Sequence, residues 1–209
     1  MRRKIIDIDP IAVDTDGLSA SAAVAGAGNL VLGGALASGG VYTADYARQI
    51  TIVSNGADNG RTFTVTGTDA NGDAQTEAIT GPSTATVESA KYFKTVTSIA
   101  VDDACAGSIS SGIVDEFVTS VIPLNYRNAG PATVSIEGIS GTINISVQQT
   151  FSDVLGDPAN IVWFACHSDI TTITANAHAQ LNTHASGVRL VCNSYSSGAE
   201  LQMVICQDK

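Results

Sequence analysis

The stretch that decides the fold runs from Arg61 to Ile79: Arg61-Thr-Phe-Thr-Val-Thr-Gly-Thr, then Asp69-Ala-Asn-Gly-Asp, then Ala74-Gln-Thr-Glu-Ala-Ile79. In its first part Phe63 and Val65 alternate with threonines, which gives a strand one apolar and one polar face. An Asn-Gly pair between two such runs is a strong hairpin signal, and it predicts a type I′ turn here. The stretch therefore predicts two antiparallel strands of a half-buried sheet.

Runs of similar amino-acid composition continue on both sides of this hairpin. Short segments rich in Val, Ile and Thr, separated by Gly, Asn and Ser, recur along residues 48–118 and again along residues 119–209. The economical interpretation is an all-β chain. We expect two antiparallel β-sandwich or jelly-roll-like units with these boundaries.

Two segments near the end of the chain carry more specific predictions. The last two runs, Val188–Ser194 and Leu201–Cys206, are predicted to form a hairpin around Gly198. The one candidate for a helix is Asp169–Thr183, where the threonines argue at least as strongly for irregular structure.

Residues 1–47 differ from the rest because small residues dominate them. Glycine-rich, small-residue sequence opposes a stable helix and gives little bulk for a core, so this segment is predicted to be an extended N-terminal arm. Two short strands are expected in it, Ile5–Ile8 and Leu30–Leu32. Such an arm lies either over its own domain or over a neighbouring subunit. Its larger apolar side chains are the candidate partner contacts: Ile5, Ile6, Leu30, Leu32 and Leu36.

Charge and composition exclude several classes of protein. The chain has 209 residues, with 10 Lys and Arg against 20 Asp and Glu, and its net charge is −10. Nucleic-acid binding depends on clustered Lys and Arg, and the only basic cluster is Arg2-Arg3-Lys4, so no nucleic-acid partner is predicted. The apolar stretch Leu18–Val41 is interrupted by polar residues, so no membrane span is predicted. Asp7 and Asp9 follow the basic start closely, and we expect no targeting segment.

No residue pattern predicts a catalytic centre or a cofactor. Asp69-Ala-Asn-Gly-Asp73 resembles the start of a calcium loop, but Ala74 and Thr80 stand where the loop requires Gly and Glu. A Gly-x-Ser-x-Gly nucleophile motif is absent. Zinc sites use a closely spaced ligand pair, which is not formed by Cys166, His167, His178 and His184. We therefore expect no metal, no cofactor and no enzymatic activity.

Cysteine, tryptophan and arginine residues carry three further predictions. The only tryptophan, Trp163, stands between Val162 and Phe164, which favours a core position over a surface contact. Arg127 is a candidate interface residue. The four cysteines are too few and too widely spaced for a disulfide framework, and thiols are expected at Cys105, Cys166, Cys192 and Cys206.

Three parts of the sequence resemble structural proteins of tailed-bacteriophage particles, which often carry a Thr- and Gly-rich sandwich pattern. The resemblance covers most of residues 48–209 and marks a fold and a virion context. It carries over no catalytic residue. The stretches that support it are Arg48–Gly56, Phe63–Pro82 with Tyr92–Ile99, and Gly141–Thr150 with Val188–Ala199.

This resemblance implies a protein of the virion, assembled in the cytoplasm of a bacterial host. Within the family, the small size and the predicted arm favour a capsid decoration, or cement, protein that binds and stabilises the shell. The expected partners are the major capsid protein or other virion proteins, and a homo-oligomer is expected. The alternative is a tail or fibre component that binds a host-surface receptor or glycan.

Overall fold

The computed structural model describes residues 2–125, 132–156, 160–181 and 184–207. These residues form an antiparallel, sandwich-like all-β fold without an α-helix, which confirms the predicted fold class. In chain order the strands are β1 (Arg2–Ile8), β2 (Ser19–Ala23), β3 (Gly28–Asn29), β4 (Ala37–Ser38), β5 (Val41–Ser54), β6 (Thr62–Thr68), β7 (Ala74–Thr80), β8 (Thr86–Glu88), β9 (Phe93–Val101), β10 (Ser108–Val118), β11 (Ile122–Pro123), β12 (Thr133–Ser140), β13 (Ile143–Thr150), β14 (Phe164–Ala165), β15 (Ala177–Gln180), β16 (Gly187–Tyr195) and β17 (Glu200–Gln207).

The chain divides into two compact units. Val13–Phe117 form the middle unit, whereas Met1–Ala12 and Val118–Lys209 together form the terminal unit. Residues 1–47, predicted as one arm, are divided between the two. The described residues of this segment contribute β1 to the terminal unit and β2, β3, β4 and the start of β5 to the middle unit.

The middle unit is built on a sheet with the strand order β10-β5-β9-β6-β7. Strand β2 pairs with β10, β3 pairs with β9, and both β4 and β8 pair with β5. Phe63 and Val65, the apolar residues of the stretch quoted first, are fully buried on β6. They share one core with Phe93, Val96 and Ile99 of β9. The alternation in the sequence thus places one face of the sheet in the core, as predicted.

Strands β6 and β7 form the predicted hairpin, but its turn differs from the predicted type. The strands pair from Thr62 with Thr80 to Thr68 with Ala74. A type I′ turn needs two consecutive residues with positive φ, and Gly72, at +94°, is the only positive-φ residue between the strands. The loop is therefore a longer one that ends on a left-handed glycine. The Asp69 Oδ1 atom accepts hydrogen bonds from the amides of Asn71 and Asp73 and stabilises it.

Close backbone approaches hold residues 13–36 against the rest of the middle unit. The amide of Leu18 donates to the Ser111 carbonyl at 2.9 Å, and that of Leu30 donates to the Ile99 carbonyl at 2.9 Å. A Cβ atom on Gly112 would lie 2.0 Å from the Asp14 carbonyl oxygen. The small residues of this segment thus allow tight packing. The predicted strand Leu30–Leu32 is not formed, and the nearby strand β3 is shorter and begins earlier.

The terminal unit contains two groups of paired strands. One sheet has the order β1-β17-β12-β15, and in the other group β13 pairs with β14 and β16, and β11 pairs with β16. Alternating buried residues line both, among them Val134, Ile136, Ile145, Val147 and Met203. The predicted strand Ile5–Ile8 is present as part of β1, which is longer than predicted.

The structure corrects two sequence predictions for the terminal unit, and a third falls outside its described residues. Strands β16 and β17 do not form a hairpin with each other, because the connection around Gly198 carries the chain from one sheet to the other. Alternation assigns a face to each strand but does not choose its neighbour. The candidate helix Asp169–Thr183 instead contains, in its described part, the end of a 3-10 turn at Ser168–Ile170 and strand β15. Arg127 lies outside the described residues.

Candidate functional site

The five predicted partner contacts occupy different environments. Leu30 and Leu32 are buried in the core of the middle unit, and Leu36 packs against that core. Ile6 is half-buried on β1, whereas Ile5 is 45 % exposed. The three leucines contribute to the interior of their own unit, because this part of the segment predicted as an extended arm is packed there. Among the five, only Ile5 presents a largely exposed side chain.

A group of exposed apolar side chains lies where β13 leads to β14. Phe151 is 50 % exposed, Leu155 77 %, Val162 57 % and Phe164 49 %. The rings of Phe151 and Phe164 are in contact, with 5.9 Å between their centroids. Single exposed apolar residues are ordinary on protein surfaces, whereas exposed apolar side chains in contact with each other are candidates for a contact surface. We call these four residues the apolar patch.

Backbone pairing fixes one side of the apolar patch. Phe164 lies on β14 and pairs with Gln149 of β13. Two residues later the amide of Cys166 donates to the Val147 carbonyl at 3.2 Å. The ring of Phe164 is therefore carried by a strand at the edge of a sheet, which lowers the entropy lost when a partner covers it.

Serine hydroxyls fix the other side of the apolar patch. The buried Ser186 hydroxyl shares its one proton between the carbonyls of Thr150, at 3.0 Å, and Ser152, at 2.5 Å, which flank Phe151. The Ser152 hydroxyl in turn accepts a hydrogen bond from the Val162 amide at 3.0 Å. The chain is thus tied on both sides of Phe151.

Trp163 was predicted to lie in the core, but the structure places it at the surface, next to Phe164 of the apolar patch in the sequence. It is half-buried, and the guanidinium carbon of Arg189 lies 4.2 Å from the ring centroid. The Arg189 Nε atom donates to the Gln148 side-chain oxygen at 2.8 Å, which keeps the guanidinium over the ring. Cation–π contacts of this kind hold an aromatic ring in place. Strand β14 is only two residues long and lies at the edge of its sheet. Trp163, the residue before it, is therefore only partly covered.

A second surface feature is a shallow groove in the middle unit. It has a volume of about 440 Å³ and is lined by β2, the segment that follows it, and Ile109. Its lining side chains are small, with Ala22, Ala25 and Ala27 among them, and it carries no charged residue. A groove of this composition offers shape but few directional contacts to a ligand.

The histidines named in the sequence analysis do not assemble a metal site. His167 and His178 line a polar pocket of the terminal unit with Asp169, and the His167 Nδ1 atom lies 3.3 Å from the Asp169 carboxylate. His184 is exposed and does not line this pocket. Across the described residues, no group of three His, Cys, Asp or Glu side chains is placed to hold a metal ion.

All four cysteines carry thiols, in agreement with the sequence prediction. Burial raises the pKa of the Cys166 thiol to about 12. Burial also raises the pKa of Cys105, with added contributions from the Asp58 carboxylate. Thiols with raised pKa values are poor nucleophiles at neutral pH, because the thiolate is the reactive form.

A buried carboxylate, which the sequence did not reveal, joins two loops of the middle unit. Asp58 is 1 % exposed and accepts hydrogen bonds from the Ser54 hydroxyl at 2.5 Å and the Ala106 amide at 2.6 Å. The Gly107 amide donates to it at 3.2 Å. Burial alone raises the pKa of Asp58, but these hydrogen bonds and the nearby Arg61 outweigh burial and leave it below its ordinary value.

A second buried ionic group lies on β5. Arg48 is fully buried and forms two hydrogen bonds with the Asp45 carboxylate, at 2.9 Å from Nε and 2.7 Å from Nη2. Its Nη1 atom donates to the Val114 carbonyl at 3.3 Å, and its guanidinium carbon lies 5.3 Å from the Phe117 ring centroid. A paired and hydrogen-bonded arginine of this kind fixes local geometry.

Among the described residues, no helix has both the length and the apolar character needed to cross a bilayer. In comparisons with known proteins, no protein-family model and no curated sequence matches the chain.

Proposed function

We propose that this chain is a non-enzymatic structural protein of a tailed-phage particle, namely a capsid decoration protein that binds and stabilises the shell of major capsid protein. The apolar patch supports the proposal, together with the resemblance in sequence. Four exposed apolar side chains, two of them in ring contact, lie on hydrogen-bonded backbone and gain free energy when another protein covers them. The proposed location is the virion.

The free energy gained when a partner covers the apolar patch is of the size expected for attachment through many weak, repeated contacts. Each large apolar side chain gains about 1.5–3 kcal/mol when it passes from full exposure to full burial, and less when it is already half covered. A contact of this size is weak after the entropy of association is subtracted. A homo-oligomer that presents several patches to a repeating shell adds these contacts through a high effective concentration.

The cysteine chemistry agrees with assembly in a bacterial cytoplasm. Thiols persist in reducing compartments, and all four cysteines of the chain are thiols. The raised pKa of Cys166 further slows its oxidation, because oxidation proceeds through the thiolate.

A tail or fibre component that binds a host-surface receptor or glycan is the second candidate. The observation that favours it is the contact between the exposed rings of Phe151 and Phe164, with the half-buried Trp163 next to Phe164 in the sequence. Aromatic side chains at the surface, accompanied by a few polar groups, are typical of small-ligand sites. Both candidates use the same side chains but differ in partner and in number of copies per particle.

The test is rebinding of purified protein to particles from a phage that lacks the gene. Leu155→Ser and Phe164→Ser remove apolar surface from the patch and are expected to reduce binding strongly. Val31→Ser is the matched control, because Val31 is 82 % exposed and lies in the middle unit. Thermal unfolding of each variant separates lost binding from lost folding.

Three outcomes are informative. Loss of binding in the two patch variants with retention in Val31→Ser supports the proposal. Equal binding by all variants contradicts the role of the patch. Failure of the unaltered protein to bind particles, combined with binding to host cells that the patch variants lack, favours the second candidate.

A further inference from the structure

Strand β1 leaves one edge of its sheet open. It occupies the end position in the order β1-β17-β12-β15 and pairs with β17 along its whole length, from Arg2 with Gln207 to Ile8 with Leu201. Within the described residues, no strand pairs with its other side. Such an edge offers backbone amides and carbonyls to a further strand.

The side chains of β1 divide between its two faces. Ile8 is buried and Ile6 is half-buried, so this end of the face points towards the interior of the terminal unit, whereas Lys4 on the same face is exposed. Arg3, Ile5 and Asp7 alternate with them and are exposed on the other face. Ile5 stands at the centre of the strand, with a positive residue two positions before it and a negative residue two positions after it.

We propose that two copies of this chain associate by antiparallel pairing of β1 with β1 about a twofold axis at Ile5. In this register Arg3 of each copy lies opposite Asp7 of the other, and the two Ile5 side chains lie opposite each other. The four-stranded sheets of two copies then form one continuous sheet. The dimer gains two ion pairs, a covered apolar contact and hydrogen bonds along seven residues.

Charge and face together select this register over its neighbours. In a continuous antiparallel sheet the interior faces of both copies must lie on the same side, so paired positions must differ by an even number. Centring on Lys4 would place two lysines opposite each other, which is unfavourable. Centring on Ile6 would place Arg3 opposite Asp9, a residue beyond the end of the strand. Only the Ile5 register pairs the whole of β1 and opposes unlike charges.

The edge strand of the middle unit does not offer the same pairing. Strand β7 ends its sheet order, and its central residue is Glu77. A symmetric pairing of β7 would oppose two carboxylates at the twofold axis. In addition, the Glu77 carboxylate accepts hydrogen bonds from the amides of Ala90 and Lys91, at 2.7 and 2.8 Å. Symmetric self-pairing of β7 is therefore disfavoured.

Asp7 has a hydrogen-bond partner on β17 that is compatible with the proposed ion pair. Its Oδ1 atom accepts a hydrogen bond from the Gln202 side chain at 2.8 Å. A carboxylate has two oxygens and can accept several donors at once, including the planar fork of an arginine. Gln202 also holds the carboxylate at the face on which Arg3 lies, since Gln202 is the β17 partner of Asp7.

Sedimentation analysis of the full chain over a range of concentrations tests the pairing. The unaltered protein is expected to show a monomer–dimer equilibrium. Arg3→Asp and Asp7→Arg each oppose like charges at two places in the dimer and are expected to weaken it about tenfold or more. The double variant, which carries both substitutions, restores unlike pairs and is expected to recover most of the affinity. Recovery distinguishes a specific pairing from damage to the strand.

An engineered thiol gives an independent readout of the same register. Ile5→Cys places two cysteines opposite each other, at a separation that a disulfide can span. Mild oxidation is expected to give a covalent dimer linked at position 5, whereas Val31→Cys, also exposed, gives none. A monomeric unaltered protein at all concentrations, or equal association by the single and double charge variants, would overturn the proposal. The pairing is independent of the proposed particle role and can fail or hold separately from it.

Discussion

Replacing Asp58 with asparagine removes the charge of a buried carboxylate and keeps its shape. The carboxylate accepts hydrogen bonds from the Ser54 hydroxyl and from the amides of Ala106 and Gly107. An asparagine side chain presents one oxygen and one NH2 group, and so one of these amides must face another donor. The variant Asp58→Asn therefore loses at least one charge-assisted hydrogen bond and leaves a donor without its acceptor.

The size of the effect follows from these contacts. Hydrogen bonds to charged groups contribute about 1.5–3 kcal/mol, and an unsatisfied buried group costs about 1–3 kcal/mol. We expect Asp58→Asn to lower the free energy of unfolding by about 3 kcal/mol. For a chain of this size, that loss corresponds to a fall of about 6–12 °C in Tm.

Chemical and thermal unfolding measure this effect against a matched control. Asp102→Asn removes the same charge from an exposed position close in sequence to Ala106 and Gly107. The control is expected to change stability by less than about 0.5 kcal/mol. If Asp58→Asn is no more destabilising than Asp102→Asn, the argument that Asp58 joins the two loops is wrong.

The same residue predicts a dependence on pH. The pKa of Asp58 in the folded protein lies below the ordinary aspartate value of 3.8, so its ionised form is favoured by folding. Its stabilising contribution is fully present above the ordinary value and is lost as the pH falls through the lowered one. The stability difference between the unaltered protein and Asp58→Asn is therefore expected to be constant near neutral pH and to shrink in acid. A difference that grows on acidification would contradict the sign of the shift.

Two further predictions concern packing and thiol reactivity. Gly67→Ala places a Cβ atom 1.8 Å from the Thr95 carbonyl oxygen at a break in the β6–β9 register, and it is expected to cost about 1–3 kcal/mol in unfolding experiments. Gly60→Ala, where a Cβ meets nothing within 4 Å, is expected to be nearly neutral, and equal effects of the two would refute the packing argument. Cys166, whose pKa is raised to about 12 by burial, is expected to react slowly with iodoacetamide at pH 8 and to react rapidly once the chain is unfolded. Rapid modification of Cys166 in the folded protein, located by peptide mass spectrometry, would contradict this.

The alternation of apolar and polar residues correctly predicted the features that depend only on residues close together in the sequence. Phe63 and Val65 identified the buried face of β6, and the Asn-Gly pair identified the β6–β7 hairpin. The same reasoning was wrong for β16 and β17, because alternation does not say whether consecutive strands share a sheet. Pairing between strands depends on the whole fold, which a window of several residues does not contain.

Segments rich in small residues were the hardest to interpret from sequence. Residues 1–47 were expected to give little bulk for a core, yet Leu18 is fully buried. The glycines explain this difference, since a Cβ atom on Gly34 would lie 2.3 Å from the Gly17 carbonyl oxygen. Small residues here permit backbone segments to approach each other closely, and the leucines between them fill the interior.

The surface features depended on contacts between distant parts of the chain. Trp163 was expected in the core because of its apolar neighbours, but its position at a short edge strand leaves it half-buried beside Arg189. Asp58 meets Ala106 and Gly107 across a large separation in sequence, so no local pattern identifies its role. By contrast, the exposure of Phe151 and Leu155 has a weak sequence signal, since both stand outside any alternating run.

The most direct test of the proposed function is the number of copies of this protein in purified particles. Quantitative mass spectrometry measures it relative to the major capsid protein, with the unaltered protein and a phage lacking the gene compared side by side. A capsid decoration protein is expected in numbers close to those of the shell subunit. A ratio many-fold lower would contradict decoration of the shell and favour a tail component, and complete absence from the particles would contradict a role in the virion.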